Sequence, residues 1–308
     1  MLELLDIVSF IIGILFLHYG SDLLVENGSL LAKKYNISRM VIGMSLVAFG
    51  TSLPEFLVSL LAIFQGKFDL VIGNIVGSNI ANIGLVLGAS GLFYSIFYNI
   101  KKIKLDVLFL IITTASFLAI LYYNQFNNIF GFFLIAILCL YIYILVKSDK
   151  VKDLADDTST VDKKLSQLLC LFALGVLGVS IGSYSLIEGS IAIARYFHIP
   201  ELVIGATAIA LGTSLPELVT SLRAAKKNEF ELVLGNIFGS NIINIALVFS
   251  TALLINDNPP ISTNFSLDIT VLMLLTLLLI TALMIGRFYR FFAIVFLSIY
   301  IYYIYIIL

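Results

Sequence analysis

Two copies of one short motif contain the residues that are best suited to chemistry. The motif Gly-Thr-Ser-Leu-Pro-Glu occupies residues 50–55 and recurs at residues 212–217. Each copy places a carboxylate, two hydroxyls and a proline inside an apolar run, where a carboxylate is costly and therefore indicates function. Because proline has no N–H, the carbonyl four residues earlier loses its helical partner. Carbonyls, hydroxyls and a carboxylate are hard oxygen ligands, which suit sodium, calcium or magnesium rather than zinc or copper.

A second motif follows each copy of the first. Residues 73–82 read GNIVGSNIAN and residues 235–244 read GNIFGSNIIN. Ser78 and Asn82 are four residues apart and therefore share a helical face. We interpret Asn82 and Asn244 as ligands, since each amide faces a carboxylate-bearing helix in hydrocarbon, whereas the glycines of the motif favour close helix packing. The other amides fit either role: Asn74, Asn79, Asn236 and Asn241.

The composition places both motifs in a membrane. Of the 308 residues, 60% are hydrophobic and 12% are charged, about half the charged share of a soluble domain. The net charge of −1 gives no sign of nucleic-acid binding. Cys139 and Cys170 lie in apolar runs, and we interpret both as small core residues rather than as a disulfide or a metal pair.

Apolar runs of about 20 residues predict an all-α polytopic membrane protein with ten transmembrane helices. The second is expected to break at Pro54, the third around Gly73–Gly77 and the seventh at Pro216, because broken helices at membrane depth line cavities. Asp106 and Asp268 are expected near helix amino termini. The predicted spans cover about residues 4–31, 40–64, 70–93, 103–123, 129–146, 168–195, 199–225, 232–255, 267–285 and 291–308.

The two halves of the chain are related by a shift of 162 positions. Between residues 41 and 86, 27 of the 46 residues are identical to their partners at 203–248. Each repeat holds five spans, and an odd number inverts the second repeat in the membrane. The predicted organisation is a first repeat at 1–146, a connector at 147–167 and an inverted second repeat at 168–308, a construction typical of secondary transporters.

The basic residues predict the orientation. With an external amino terminus, 16 of the 18 Lys and Arg residues lie on one side of the membrane, and only Lys67 and Arg195 lie on the other. The positive-inside rule then places both termini outside the cell and the connector in the cytoplasm. A multi-pass protein of the cell membrane is expected, with the lipid bilayer around it and no obligate protein partner.

Inverted packing is expected to bring Glu55 and Glu217 together. Two buried carboxylates cannot both ionise cheaply without cations. One divalent ion or two monovalent ions neutralise the pair, and a third monovalent ion leaves a positive charge. A site that accepts one set of ions or the other, but not both at once, makes the protein an exchanger, with protons as a third competitor.

The repeated motifs closely resemble the alpha repeats of the cation/calcium antiporter superfamily, and most of all its compact prokaryotic sodium/calcium exchangers. This resemblance implies exchange of sodium for calcium by alternating access, with spans one and six sliding across a fixed core. It implies no enzymatic activity and no cofactor, with Ca²⁺ and Na⁺ as the transported ions. It also implies an ion-ligand set in which the glutamates bind both ions and the other residues supply hydroxyl, amide or carbonyl oxygens: Glu55, Glu217, Thr51, Thr213, Ser52, Ser214, Asn82, Asn244, Ser78, Ser240, Ala48 and Ala210.

Some departures and alternatives remain. Potassium-dependent relatives usually carry an aspartate at the position of Asn244, so the amide here predicts potassium-independent, electrogenic exchange. Some compact prokaryotic relatives also have an acid there, which leaves the ion count of this pocket open. Proton/calcium exchange within the same superfamily is the second hypothesis. Outside transport, an intramembrane aspartic-type protease requires only two buried acids, and a passive channel is slowed by strongly binding carboxylates.

Overall fold

The computed structural model describes residues 4–35, 37–94, 96–147, 163–198, 212–257, 259–261, 263–285 and 287–307. Helices account for most of these residues. In chain order they are α1 (Leu4–Lys34), α2 (Arg39–Thr51), α3 (Leu53–Phe64), α4 (Phe68–Phe93), α5 (Ile100–Tyr122), α6 (Asn128–Lys147), α7 (Leu165–Tyr196), α8 (Leu215–Lys226), α9 (Phe230–Ile255), α10 (Ser266–Leu283) and α11 (Arg290–Ile307).

The described residues include eight helices that are long and apolar enough to cross a membrane. The bent pair α2–α3 brings the number to nine. The expected all-α polytopic fold is confirmed, and the helix bounds agree with the predicted spans to within a few residues. The amino-terminal part of the seventh predicted span, residues 199–211, lies outside the described residues, so the total of ten remains a prediction.

The predicted break in the second span is present. Helices α2 and α3 meet at Ser52 with a bend of 46°. Pro54 lies in the first turn of α3 rather than at the break itself, where a residue without an N–H costs no helical hydrogen bond. Pro216 has the same place in α8.

The break expected at Gly73–Gly77 is absent, since α4 is a regular α-helix from Phe68 to Ala81. The irregular segment begins at Asn82, where the backbone widens into a π-helix that continues to Leu87. The same feature recurs in α9 from Asn244 to Phe249. Glycine permits a break but does not require one, and a Cβ at Gly73 or Gly77 would meet no other atom of the described residues within 4 Å, so close helix packing does not account for these two glycines either.

The long helices α1 and α7 pack closely along a line of glycines. A side chain at Gly20 would place its Cβ 2.7 Å from the backbone nitrogen of Val179, and one at Gly175 would lie 2.6 Å from that of Leu24. Such distances are too short for any other residue, so these glycines permit the close approach of two backbones. We call these two helices the α1–α7 pair.

The remaining helices form the core, with α4 and α9 as the most buried spans. Two short antiparallel strands join the halves: β1 (Ile96–Phe97) pairs with β2 (Arg287–Phe288), with Ile96 opposite Phe288. The buried side chains of Ile96 and Phe288 anchor this ladder, and the hydroxyl of Tyr98 donates to the carbonyl of Ala282 at 3.1 Å.

Two smaller expectations were wrong. Asp106 is not near a helix amino terminus, because α5 begins at Ile100; it is fully buried and accepts a hydrogen bond from Tyr141 at 3.3 Å. Asp268, by contrast, does lie in the first turn of α10. Cys139 and Cys170 are exposed free thiols rather than core residues.

Candidate functional site

The site is built around two glutamates at equivalent places in the two repeats. Glu55 lies in the first turn of α3 and Glu217 in the first turn of α8, where the helix dipole favours negative charge. Their exposed fractions are 1% and 0%. The two carboxylates are close enough to interact electrostatically. Both acids therefore lie in a common buried place, as expected for the inverted repeat.

Hydroxyls from both repeats converge on Glu217. The hydroxyl of Ser52 donates to Oε1 of Glu217 at 3.1 Å, and that of Ser240 donates to the same oxygen at 3.4 Å. Thr51 lies 3.5 Å from Ser240, hydroxyl to hydroxyl. The inverted equivalent of this last contact is also present, with Ser78 and Thr213 3.4 Å apart. Side chains of both halves thus make up one site.

Two asparagines fix the backbone beneath the glutamates. The amide of Asn74 donates to the carbonyl of Glu55 at 3.1 Å and to the hydroxyl of Ser59 at 2.9 Å. Asn236 makes the equivalent pair of contacts, to the Glu217 carbonyl at 3.5 Å and to the Ser221 hydroxyl at 3.0 Å. These amides hold α3 and α8 to the adjacent helices. Of the two roles left open by the sequence, the observed contacts are positional.

The π-helical segments bring further amides to the site. Asn82 donates to Oδ1 of Asn241 at 2.9 Å, so Asn241 connects the two repeats. Both Asn82 and Asn244 are fully buried at the start of their π segments. A π turn widens the helix locally and leaves backbone groups less regularly paired, and such turns are frequent at functional sites.

Several buried polar atoms of the site have no hydrogen-bond partner within the described part of the chain. They are both carboxylate oxygens of Glu55, Oε2 of Glu217, Oγ of Ser214, Oδ1 of Asn82, both amide atoms of Asn79 and both amide atoms of Asn244. Unpaired buried polar atoms are expensive and require an explanation. Most of these atoms are oxygens near two acids, which is the donor set that suits hard cations.

The described part of the site contains two acids, Glu55 and Glu217. Among the described residues, no three His, Cys, Asp or Glu side chains cluster, so any further donors must be hydroxyls, amides or carbonyls. The carbonyl of Ala48 already accepts from the Ser52 N–H at 2.9 Å and from the Thr51 hydroxyl at 3.3 Å. Ala210, the equivalent predicted ligand, lies outside the described residues.

The sequence did not reveal the bridging role of Asn241 or the π segments. Asn241 belongs to a motif that was recognised, but its partner Asn82 is 159 positions away, and no local pattern specifies that contact. The π segments have no signature in residue type. Their position at the end of each second motif is the one signal that was present, because both begin at the last asparagine of GNIVGSNIAN and GNIFGSNIIN.

Comparison with known proteins is consistent with this geometry. The family model described as "Sodium/calcium exchanger protein" matches residues 5–147 and again residues 167–308. The chain belongs to the sodium/calcium exchanger family. It is therefore a membrane transporter rather than an enzyme, and the family of antiporters expected from the repeated motifs is confirmed.

Several relatives align with most of the length of this chain. The sodium/calcium exchanger MaX1 of Methanosarcina acetivorans is 30% identical over 77% of this chain and 79% of its own length. Inner membrane protein YrbG of Escherichia coli (strain K12) is 32% identical over 87% of this chain and 85% of its own length. A structure of the sodium-calcium exchanger NCX_Mj, soaked without Na⁺ and Ca²⁺, superposes with a TM-score of 0.83 at 33% identity, covering 100% of both chains.

Proposed function

We propose that the protein exchanges sodium for calcium across the membrane by alternating access. The observation that carries this proposal is the buried pair Glu55 and Glu217. Hydroxyls of both repeats contact Glu217, and three of the four carboxylate oxygens have no partner among the described residues. Two negative charges buried together in a membrane are stable when cations neutralise them. Calcium and two sodium ions carry the same charge, so the two ions compete for one pair of acids.

The proposed ligands are residues of the two repeated motifs and their flanking positions. Both glutamates bind calcium and, in turn, sodium. Hydroxyls of Ser52, Ser78 and their partners surround the carboxylates, and the amides at the start of the π segments complete the central position. The full proposed set is Glu55, Glu217, Thr51, Thr213, Ser52, Ser214, Ser78, Ser240, Asn82 and Asn244, with carbonyls of Ala48 and Ala210.

The proposal includes the architecture and the orientation. Residues 1–146 and 168–308 are the two inverted repeats, and residues 147–167 connect them in the cytoplasm, with both termini outside. The distribution of 16 basic residues against 2 supports this orientation. A third sodium ion adds a positive charge to the neutralised pair, so the exchange is electrogenic, and the amide of Asn244 leaves no third acid for potassium.

Calcium uptake into proteoliposomes tests the proposal. Vesicles loaded with sodium are diluted into sodium-free calcium buffer, and uptake is compared with that of vesicles without a sodium gradient. Uptake supports the proposal if it requires the sodium gradient, proceeds without potassium, and increases when valinomycin and potassium dissipate the inside-negative potential that electrogenic exchange creates. Uptake that follows a proton gradient instead identifies a proton/calcium exchanger, and uptake without any counter-gradient identifies a channel.

A further inference from the structure

One cluster of charges connects the α1–α7 pair to the core. Asp22 of α1 forms ion pairs with Arg223 and Lys227 at the end of α8, and its carboxylate lies 2.8 Å from Nζ of Lys227. The side chains of Asp22, Arg223 and Lys227 are 25%, 19% and 33% exposed. Because these groups are partly shielded from water, their attraction is screened less than that of a fully exposed pair.

A cavity that is open to solvent lies beside this cluster, between α1, α8 and the end of α4. It has a volume of about 310 Å³, and its walls include His18, Ser21, Phe93, Val219, Leu222 and Arg223. Helices α1 and α8 pack against each other beside it. The ion pairs of Asp22 lie at the rim of this cavity and add an ionic connection to that contact.

The inverted repeat does not contain this cluster. A shift of 162 positions takes Asp22 to Tyr184, Arg223 back to Leu61 and Lys227 back to Gln65. Two identical inverted repeats would hold the α1–α7 pair equally well in the two directions. These three ionic positions break the symmetry, and they do so at one end of the molecule, the end that carries Lys33, Lys34 and Lys163.

Neighbouring ion pairs make different connections. Glu26 of α1 lies 3.5 Å from Nζ of Lys163, just before α7, so this pair joins the two members of the α1–α7 pair to each other. Arg39 and Glu229, 2.8 Å apart, join α2 to the start of α9 within the core. Sliding of the α1–α7 pair over the core leaves both contacts intact, whereas it separates Asp22 from α8.

We propose that Asp22, Arg223 and Lys227 form a one-sided latch that holds the α1–α7 pair against the core and keeps the ion site closed at this end. The latch must open before the site can exchange ions with the cytoplasm, so these residues position the helices rather than bind the transported ions. The inference rests on the proposed exchange by alternating access. It adds that the two conformations are unequal in energy because one of them makes ionic contacts that the other lacks.

Thiol labelling tests the latch without any transport measurement. In a Cys139→Ser/Cys170→Ser background, Val219→Cys places a reporter in the cavity wall. A membrane-impermeant maleimide is added from the side of the latch. Asp22→Asn is expected to increase the labelling rate about twofold to fivefold, the range for loss of a partly screened ion pair. Glu188→Gln neutralises an exposed carboxylate on α7, the other helix of the α1–α7 pair, and is the control that is expected to leave the rate unchanged.

A second measurement separates a latch from a general loss of structure. Asp22→Asn should lower the apparent KM for calcium on the latched side and raise it on the other, whereas Asp22→Glu should restore wild-type values. Adding Arg223→Gln to Asp22→Asn should change the labelling rate less than Arg223→Gln does alone, since the pair is already broken. Equal labelling in wild type and Asp22→Asn, or an equal increase in Glu188→Gln, overturns the latch. The labelling measurement does not depend on transport, so it tests the latch even if the proposed exchange fails.

Discussion

The hydroxyl of Ser52 lies 3.1 Å from Oε1 of Glu217, 165 positions later in the chain. Ser52 is the residue at which α2 and α3 meet, so the break in one repeat supplies a hydrogen-bond donor to the acid of the other. The reciprocal contact is missing: Oγ of Ser214 and both carboxylate oxygens of Glu55 have no partner among the described residues. The two halves of the site are thus equivalent in sequence but unequal in hydrogen bonding.

Neutralising either glutamate should abolish exchange. Glu55→Gln and Glu217→Gln each remove one of the two charges that hold cations, and removal of one member of a desolvated charge pair typically lowers affinity by about a hundredfold. Sodium-gradient-driven calcium uptake into proteoliposomes measures the effect. Glu26→Gln, which neutralises an exposed carboxylate on α1, is the control. Near-normal uptake in both site variants would show that the ions bind elsewhere.

The different hydrogen bonding of Ser52 and Ser214 predicts that their alanine variants lose different amounts of stability. Ser52→Ala removes a hydrogen bond to the Glu217 carboxyl group and is expected to destabilise the ion-free protein by about 1 kcal/mol. Ser214→Ala removes a hydroxyl that has no partner among the described residues and should change the free energy of unfolding by less than about 0.5 kcal/mol. Thermal unfolding in detergent, in buffer without sodium and calcium, compares the two variants. Identical losses would contradict the asymmetry of the site.

The close contact between α1 and α7 should not tolerate a larger residue. Gly20→Ala places a methyl group 2.7 Å from a backbone nitrogen of α7, so the helices must separate, at a cost of about 1–3 kcal/mol. Gly28→Ala is the matched control on the same helix, because its methyl group would lie 3.5 Å from the nearest side-chain atoms. Melting temperatures should fall for the first variant and change little for the second.

Protons should compete with calcium at the site. Protonation removes the negative charge of Glu55 and Glu217 and therefore their attraction for cations. Calcium uptake should fall as the pH is lowered from about pH 8 to about pH 5, and more calcium should restore it. The measurement is initial uptake as a function of both concentrations. A flat pH profile over this range would refute proton competition.

Glu229 predicts a pH effect on stability outside the membrane-spanning segments. Burial raises the pKa of Glu229, although the Arg39 ion pair opposes the shift. An acid with a raised pKa stabilises the fold at low pH, and this contribution is lost as the pH rises through the raised value. A glutamine at this position cannot ionise, so Glu229→Gln does not lose stability as the pH rises. The melting temperature of the variant should therefore rise relative to wild type between about pH 4 and about pH 8, and a constant difference would disprove the effect.

Much of the architecture could be predicted for two reasons. A membrane requires long apolar spans, and the two repeats share many identical residues at a constant shift of 162 positions. Glu55 and Glu217 are costly in hydrocarbon, and that cost alone identified them as the centre of the site. The place of Pro54 beside a break followed from its missing N–H. These features depend on local chemistry, and local chemistry is what a single sequence records.

The features that could not be predicted depend on contacts between distant parts of the chain. Glycines at residues 73 and 77 suggested a break, but α4 is regular there. Asp106 looked like a helix cap until the position of α5 placed it beside Tyr141. The bond between Asn82 and Asn241 and the ion pairs of Asp22 likewise require the packed helices. No rule based on residue spacing predicts these contacts.

The two-residue ladder between β1 and β2 has a mechanical consequence. Ile96 follows the first repeat's α4, and Phe288 follows the second repeat's α10, so their pairing fastens one half of the core to the other. The hydroxyl of Tyr98 adds a hydrogen bond to the carbonyl of Ala282 at the end of α10. This bracing resists shear between the two halves of the core, so in the proposed alternating-access cycle the α1–α7 pair is the element that moves while the core stays rigid.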